Sequence, residues 1–279
     1  MKFSIGKAVA LTAVVLILSP AGRAQNDNKK SKGGDNSLSQ AKPGQAPAGG
    51  PAVGKDELKA YKALYDARNG DPNKIIELGE AYVAKYPDSV YAGAVYSELT
   101  SAYLATNQTD KMMASGEKAL EKNPDNVDVL PLMAWAIPRR ANPQTQDGAQ
   151  QIQKAQAWAK HGIELLTTMP LPAGMDEASF AKAKNDKLGM CHDGLGVAAA
   201  RTGKYEDAIT ELTQSVQLSS MPDPVDYYLL GISDEQGSHF TDAVAAFTKC
   251  SADGPMQTQC KSLLDETKKK AANSLDVPR

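Results

Sequence analysis

From Lys55 onward the chain reads as helix after helix, with apolar residues recurring at helical spacing and breaks between the runs. The breaks carry the expected punctuation. Asp71-Pro72 and Asp223-Pro224 each set a capping carboxylate before a proline suited to the first helical position. Gly203 and Gly237 stand where one predicted helix ends and the next begins. Pro87, Pro124 and Pro255 follow helices. Lys268, Lys269 and Lys270 fall in the last turns of a final helix, where cations are favoured.

The helical stretches repeat. The clearest unit is Tyr227-x2-Leu230-Gly231-x2-Asp234, then Phe240, Ala243-x3-Phe247 and Pro255. One unit upstream stand His192-x2-Leu195-Gly196-x2-Ala199, then Tyr205 and Ala208-x3-Leu212. In each, 12 positions separate the glycine from the alanine, and the two glycines are 35 apart. A weaker unit keeps the same interval from Thr100 to Met112: Tyr96-x2-Leu99-Thr100-x2-Tyr103, then Met112-x3-Gly116 and Pro124. In a fourth, Leu130-x2-Met133-Ala134-x2-Ile137 leads to Ala155-x3-Ala159, an interval of 21. The polar stretch Arg139 to Gln146 reads as an enlarged turn that absorbs the surplus. Asp56 to Pro87 holds two further helices with few of these residues.

These residue types serve packing. Gly or Ala lets two antiparallel helices cross closely, and Leu195, Leu230 and Phe247 fill the gaps beside the crossings. One pair cannot bury its apolar stripe, so several must stack. The two best units, Gly189 to Pro255, resemble the tetratricopeptide repeat (TPR), W-x2-L-G-x2-Y…A-x3-F…P; Asp234 departs from the aromatic usual in its slot. The reading is an all-α, right-handed α-solenoid of about five TPR-like helix pairs from Asp56 on, with a capping helix near Gln257 to Lys270. Met175 to Arg201 reads as one unusually long first helix. An irregular helical bundle is the alternative, and the thrice-repeated interval of 12 argues against it.

The N-terminus reads as an address. Lys2 and Lys7 precede an eleven-residue apolar run, Ala8 to Leu18, then Pro20 and the small residues Gly22-Arg23-Ala24. This is the layout of a secretory signal peptide over residues 1–24, cut near Ala24. As a helix the run is about 16 Å long, against a hydrocarbon core of ~30 Å, so a membrane anchor is disfavoured. The expectation is a periplasmic or secreted protein with no membrane span in the mature chain. Residues 25–54 are rich in Gly, Pro, Ser and Lys and read as a flexible tether. The helical domain then spans 55–273, and 274–279 form a short tail.

Composition narrows the function. Aromatic content of 6% with abundant Ala suits stacked helices better than a sandwich of sheets. The net charge is −2, and the first 24 residues hold three basic and no acidic residues, so a cleaved chain is more acidic still. Without a basic cluster, nucleic acid is a poor partner.

Little chemistry is legible. Cys191, Cys250 and Cys260 are too few and too far apart for a zinc site. In an oxidising compartment Cys250 and Cys260 are placed to pair across Gly254-Pro255 and staple the last helix to the last pair; two free buried thiols are the alternative. Cys191 and His192 are neighbours on a helix and point about 100° apart, so they do not face each other as a nucleophile and base would. His161 and His239 are scattered. No phosphate-cradling loop or hydrolase signature occurs, so no catalytic, metal or cofactor residue is expected.

The family resemblance implies a superhelix whose concave side is lined by the first helix of each pair. On the two best units that lining would include Asp193, Val197, Arg201, Tyr228, Ile232 and Glu235, a mixed surface suited to a protein or peptide partner. One TPR subclass clamps the C-terminal carboxylate of chaperones with basic residues. Here the matching sites hold Asp193, Val197, Tyr228 and Ile232, so that role is not expected. The leading reading is a non-catalytic interaction scaffold outside the cytoplasm. A structural or assembly part of a cell-envelope or secretion complex is the alternative, and an enzyme on a helical scaffold a third.

Overall fold

The computed structural model describes Leu38 and residues 42–44, 53–252 and 254–274. The expected signal peptide, most of the expected tether and all of the expected tail but Ser274 lie outside the described residues. Among the described residues there are eleven helices and no strand: α1 (Lys55–Ala67), α2 (Pro72–Lys85), α3 (Ala92–Ala105), α4 (Thr109–Lys122), α5 (Val129–Arg140), α6 (Gln146–Thr168), α7 (Glu177–Arg201), α8 (Tyr205–Leu218), α9 (Pro224–Gln236), α10 (Phe240–Cys250) and α11 (Gln257–Asn273). They form five consecutive pairs closed by α11, an all-α solenoid of TPR-like pairs. No helix among the described residues is long and apolar enough to cross a membrane.

Helix ends follow the local chemistry. The Asp71 carboxylate accepts from the Asn73 amide at 2.9 Å, and that of Asp223 from the Val225 amide at 3.0 Å, each ahead of its proline. Asp176 caps α7 in the same way through Ser179. The turns inside three pairs share one shape, three residues with a left-handed centre: Asn107 (φ 59°), Gly203 (φ 75°) and Ser238 (φ 65°). In the last of these Gly237 is the helix-ending residue, and Ser238 takes the conformation that glycine favours.

The recurring glycines stand at helix crossings. A methyl group on Gly196 would sit 2.6 Å from Leu212 Cγ of α8, and one on Gly231 2.6 Å from Phe247 Cε1 of α10. Gly79 of α2 meets Leu99 of α3 in the same manner, which carries close packing from one pair to the next.

The interval of 21 has a different origin from the expected enlarged turn. Six of its nine extra residues lengthen the start of α6, two lengthen the turn and one lengthens α5. Arg139 and Arg140 are therefore helical. Pro138 also lies inside α5, where it cannot donate to the Ala134 carbonyl. The backbone of Gly194 in α7 comes up against that carbonyl and leaves no room for a side chain.

The two halves are filled differently. Around α1 to α3 the core is tyrosine-rich: Tyr61 stacks on Tyr91 with centroids 4.0 Å apart, and Tyr82 tilts against Tyr61. Around α7 to α10 it is mostly Ala, Leu and Val with Ile209, Phe247 and Cys250, and Tyr227 and Tyr228 are only half-buried against it. Leu38 is buried too, in a cluster with Val127, Phe180, Leu188 and Cys191, which the composition of its stretch does not anticipate.

Candidate functional site

The family resemblance puts the first helices along an open face. Instead, α5 is buried from Val129 to Arg139 except for half-buried Leu132, and α7 from Leu188 to Ala200 except for half-buried His192. α5 and α7 pack directly on each other, and at Gly194 their backbones come together.

A buried charge cluster fastens this row. Arg139 is 5% exposed, Asp193 2% and Asp226 1%. Arg139 Nη1 donates to Asp193 Oδ1 at 2.6 Å and Nη2 to Asp193 Oδ2 at 2.8 Å, a two-pronged pair. Nη2 also reaches Asp226 Oδ1 at 3.2 Å and lies 3.5 Å from Asp223 Oδ2. Nη1 further donates to the Trp135 carbonyl at 3.2 Å, and the guanidinium carbon stands 4.8 Å from the centre of the Trp135 ring. Ser215 of α8 donates to Asp226 Oδ2 at 2.6 Å. One side chain of α5 thus ties together α7, α9 and, through Asp226, α8. Burial opposes the Arg139 charge, but Asp193, Asp226 and Asp223 outweigh it and raise its pKa. Burial and the Asp193 charge push Asp226 well above the usual carboxylate range, against the pull of Arg139. These groups satisfy one another, and the cluster is a clasp.

The six residues expected on the lining fall into three groups. Asp193 and Val197 are buried, the first in the clasp and the second among Ala199, Ala208 and Leu212. They face neighbouring helices, which corrects their expected place on an open surface. Ile232 and Glu235 are half-buried and turned to the capping helix. Ile232 packs on the cluster of Cys250, Met256 and Cys260, while Glu235 pairs with Lys270 and accepts from Thr267 Oγ1 at 3.3 Å. Arg201 and Tyr228 remain half-buried at the rim of the row. Arg201 donates to the Pro138 carbonyl and has no acidic neighbour among the described residues; burial lowers its pKa. Burial raises the pKa of Tyr228.

Sequence reasoning puts Arg139 in a polar turn and gives Asp223 only the role of a cap, so it misses the clasp. A signal for Arg139 is available: it stands five positions after Ala134, as Arg201 stands five after Gly196. Both are therefore in the last turn of a first helix.

The remaining reactive groups are dispersed. Cys250 and Cys260 are bonded, with Cα atoms 5.9 Å apart, and join α10 to the start of α11. Cys191 is a buried free thiol whose pKa burial pushes up to about 12, so it is held in the un-ionised form. His192 Nδ1 lies 2.7 Å from Glu211 Oε2, His161 Nε2 lies 2.6 Å from Asp125 Oδ1, and His239 Nε2 lies 3.6 Å from Glu206 Oε1. Glu211 and Glu206 share α8, while the His161–Asp125 pair joins α6 to the α4–α5 connection. Among the described residues no group of His, Cys, Asp and Glu is arranged to hold a metal ion. A cleft of about 270 Å³ opens beside α1, lined by Val53, Glu57, Tyr86, Asp88, Ser89 and Val90.

No protein-family model matches the chain, and no curated protein matches it. Among solved structures it is similar to TTC0263, a thermophilic TPR protein of Thermus thermophilus, at 13% identity over 76% of this chain and 98% of that one, with a TM-score of 0.45. It is also similar to a tetratricopeptide repeat protein from Parabacteroides merdae, at 17% identity over 77% of this chain and 100% of that one, with a TM-score of 0.32.

Proposed function

We propose that this chain is a non-catalytic protein-interaction scaffold that works outside the cytoplasm. Its partner is a protein or peptide held at the rim of the first-helix row, beside Arg201 and Tyr228. Arg201 carries this reading. A half-buried guanidinium that meets a carbonyl and, among the described residues, no carboxylate is positioned to take an acidic group from a partner. Tyr228, half-buried on α9, is the type of residue that anchors interfaces. The bond between Cys250 and Cys260 supports an oxidising compartment, as does the signal-like N-terminus.

The test is site-specific photo-crosslinking with the full chain in an envelope extract. A crosslinker at Tyr228 should capture one dominant partner, and a crosslinker at exposed Gln214 of α8 should not. Arg201→Ala should weaken that complex by at least about ten-fold while helicity is unchanged. Equal capture from both positions would remove the rim from the proposal. Mass spectrometry of the exported fraction should find an N-terminus at Gln25; a chain that retains Met1 and stays in the cytoplasm would end the export reading.

The alternative, an assembly component working through its outer surface, draws on Leu171 and Met221. These are exposed apolar side chains in the α6–α7 and α8–α9 connections. Self-association lost on Leu171→Asp would favour it.

A further inference from the structure

The long α6–α7 hairpin has a feature that the scaffold reading does not use. At 23 and 25 residues, α6 and α7 are the longest helices described, and the others have 11 to 17. Around the hairpin tip Ile163 and Leu166 near the end of α6, Met169 and Met175 in the connection, and Phe180 and Ala183 in the first turns of α7 form an apolar set, against which Leu218 of α8 also packs. Leu38 packs into this set and is 8% exposed.

The contact has a polar component. The Leu38 amide donates to Asp128 Oδ1 at 3.0 Å, and Lys187 Nζ of α7 stands 2.9 Å from the same oxygen. Asp128 is itself positioned by its own amide, which donates to Asn126 Oδ1 at 3.0 Å. Six residues further along, the Gly44 amide donates at 3.1 Å to the hydroxyl of Tyr91, whose ring is stacked on Tyr61. Tyr91 precedes α3 and Asp128 precedes α5, so one segment meets the same end of the first helix in two consecutive pairs. Main-chain donors read by fixed acceptors, with one side chain in an apolar pocket, are two ingredients of peptide recognition.

We propose that the pocket formed by Asp128, Lys187 and the α6–α7 hairpin is a binding site for a peptide bearing a leucine-sized anchor, and that the chain's own Leu38 segment occupies it in cis. Leu38 is the only Leu, Ile, Val, Met or aromatic residue from Gln25 to Ala52, so the segment has a single anchor. A free peptide with one anchor and two main-chain hydrogen bonds binds weakly. Covalent attachment raises its effective concentration to the order of millimolar, enough to occupy the site while leaving it open to displacement. A partner segment of the same chemistry therefore competes with the chain itself. This surface is distinct from the Arg201 rim, so either proposal can fail alone.

The probe is a fluorescent synthetic peptide of residues 33–47, titrated to about 1 mM into the full wild-type chain and the full Leu38→Asp chain. It should bind Leu38→Asp at least about ten-fold more tightly than wild type, because the tethered competitor is gone. A peptide carrying Leu38→Ala should lose that binding. In the unaltered protein, hydrogen exchange at the Leu38 amide should be slowed at least about ten-fold relative to the free peptide; this measurement does not depend on the folding of any variant. The proposal is overturned if that amide exchanges at the free-peptide rate, if the two chains bind the peptide equally, if neither binds it, or if the Leu38→Ala peptide binds as well.

Discussion

The first two helix pairs and the last two have the same architecture and solve its packing by opposite means. In α1 to α4, large rings fill the space and hydroxyls hold them: Tyr82 donates to Glu57 at 3.2 Å, Ser89 to Glu57 at 2.6 Å and Tyr103 to Glu80 at 2.5 Å. Seven of the chain's ten tyrosines lie between positions 61 and 103. In α7 to α10 the space itself is removed. Gly196 and Gly231 let the backbones approach, and one buried guanidinium joins successive first helices. The fold thus sets the positions of the helices and leaves open whether bulk or its absence fills the contact. The motif that marks the repeat is legible only where bulk is absent.

The contrast can be broken most severely at Arg139. Arg139→Ala leaves Asp193 and Asp226 buried without their cation and should cost about 3–5 kcal/mol at neutral pH, read from urea unfolding. A loss below about 1 kcal/mol would show that solvent reaches the clasp. Next in size is the staple. Opening the bond between Cys250 and Cys260 with the double serine variant should cost about 3 kcal/mol in the chain-entropy model, with hydrogen-exchange protection falling in α11 before α1 to α4. Equal loss along the whole chain would mean that the cap governs global stability.

The glycines and tyrosines test the comparison directly. Gly231→Ala should cost about 1–3 kcal/mol, because Phe247 must shift. Tyr82→Phe keeps the ring and should cost about 1 kcal/mol through the lost hydroxyl network. If the alanine is tolerated, the C-terminal pairs are looser than their glycines suggest.

Asp226→Asn sharpens the picture through pH. The folded carboxyl titrates above its ordinary value, so its ionised form is disfavoured in the folded state. That penalty is present in full above the folded pKa and is relieved as pH falls through it. The asparagine chain should therefore be the more stable at neutral pH, and its advantage should shrink as pH falls toward the ordinary carboxylate range. An advantage that grows on acidification would reverse the assignment. Smallest of all, Ser238→Gly should stabilise by about 0.5–1 kcal/mol by relieving the left-handed backbone, visible as a higher Tm.

Much of the fold is legible, for local reasons. Caps at Asp71 and Asp223, the glycine-to-alanine interval of 12 and the glycine spacing of 35 are written within short windows. The turn centred on Ser238 reads one residue early because a glycine stands next to it. The surplus in the third pair reads as a turn because Arg139, Arg140, Asn142 and Gln144 look solvated, whereas most of the added length extends α6. The candidate site is far less legible. Helical position directs Asp193 and Val197 toward an open face, yet helical position gives only direction, and what lies in that direction belongs to another part of the chain.

The chain's own pattern determined how many rods there are, where they turn and which cysteines stand near each other, because each depends on neighbours within a few turns. Tertiary structure alone decided that the rods at the centre close on one another. Arg139 reaches its acids across 54 and 87 residues, and Leu38 reaches Asp128 across 90. Burial of a charge or an anchor is a property of the assembled neighbourhood, where desolvation and pairing are settled together.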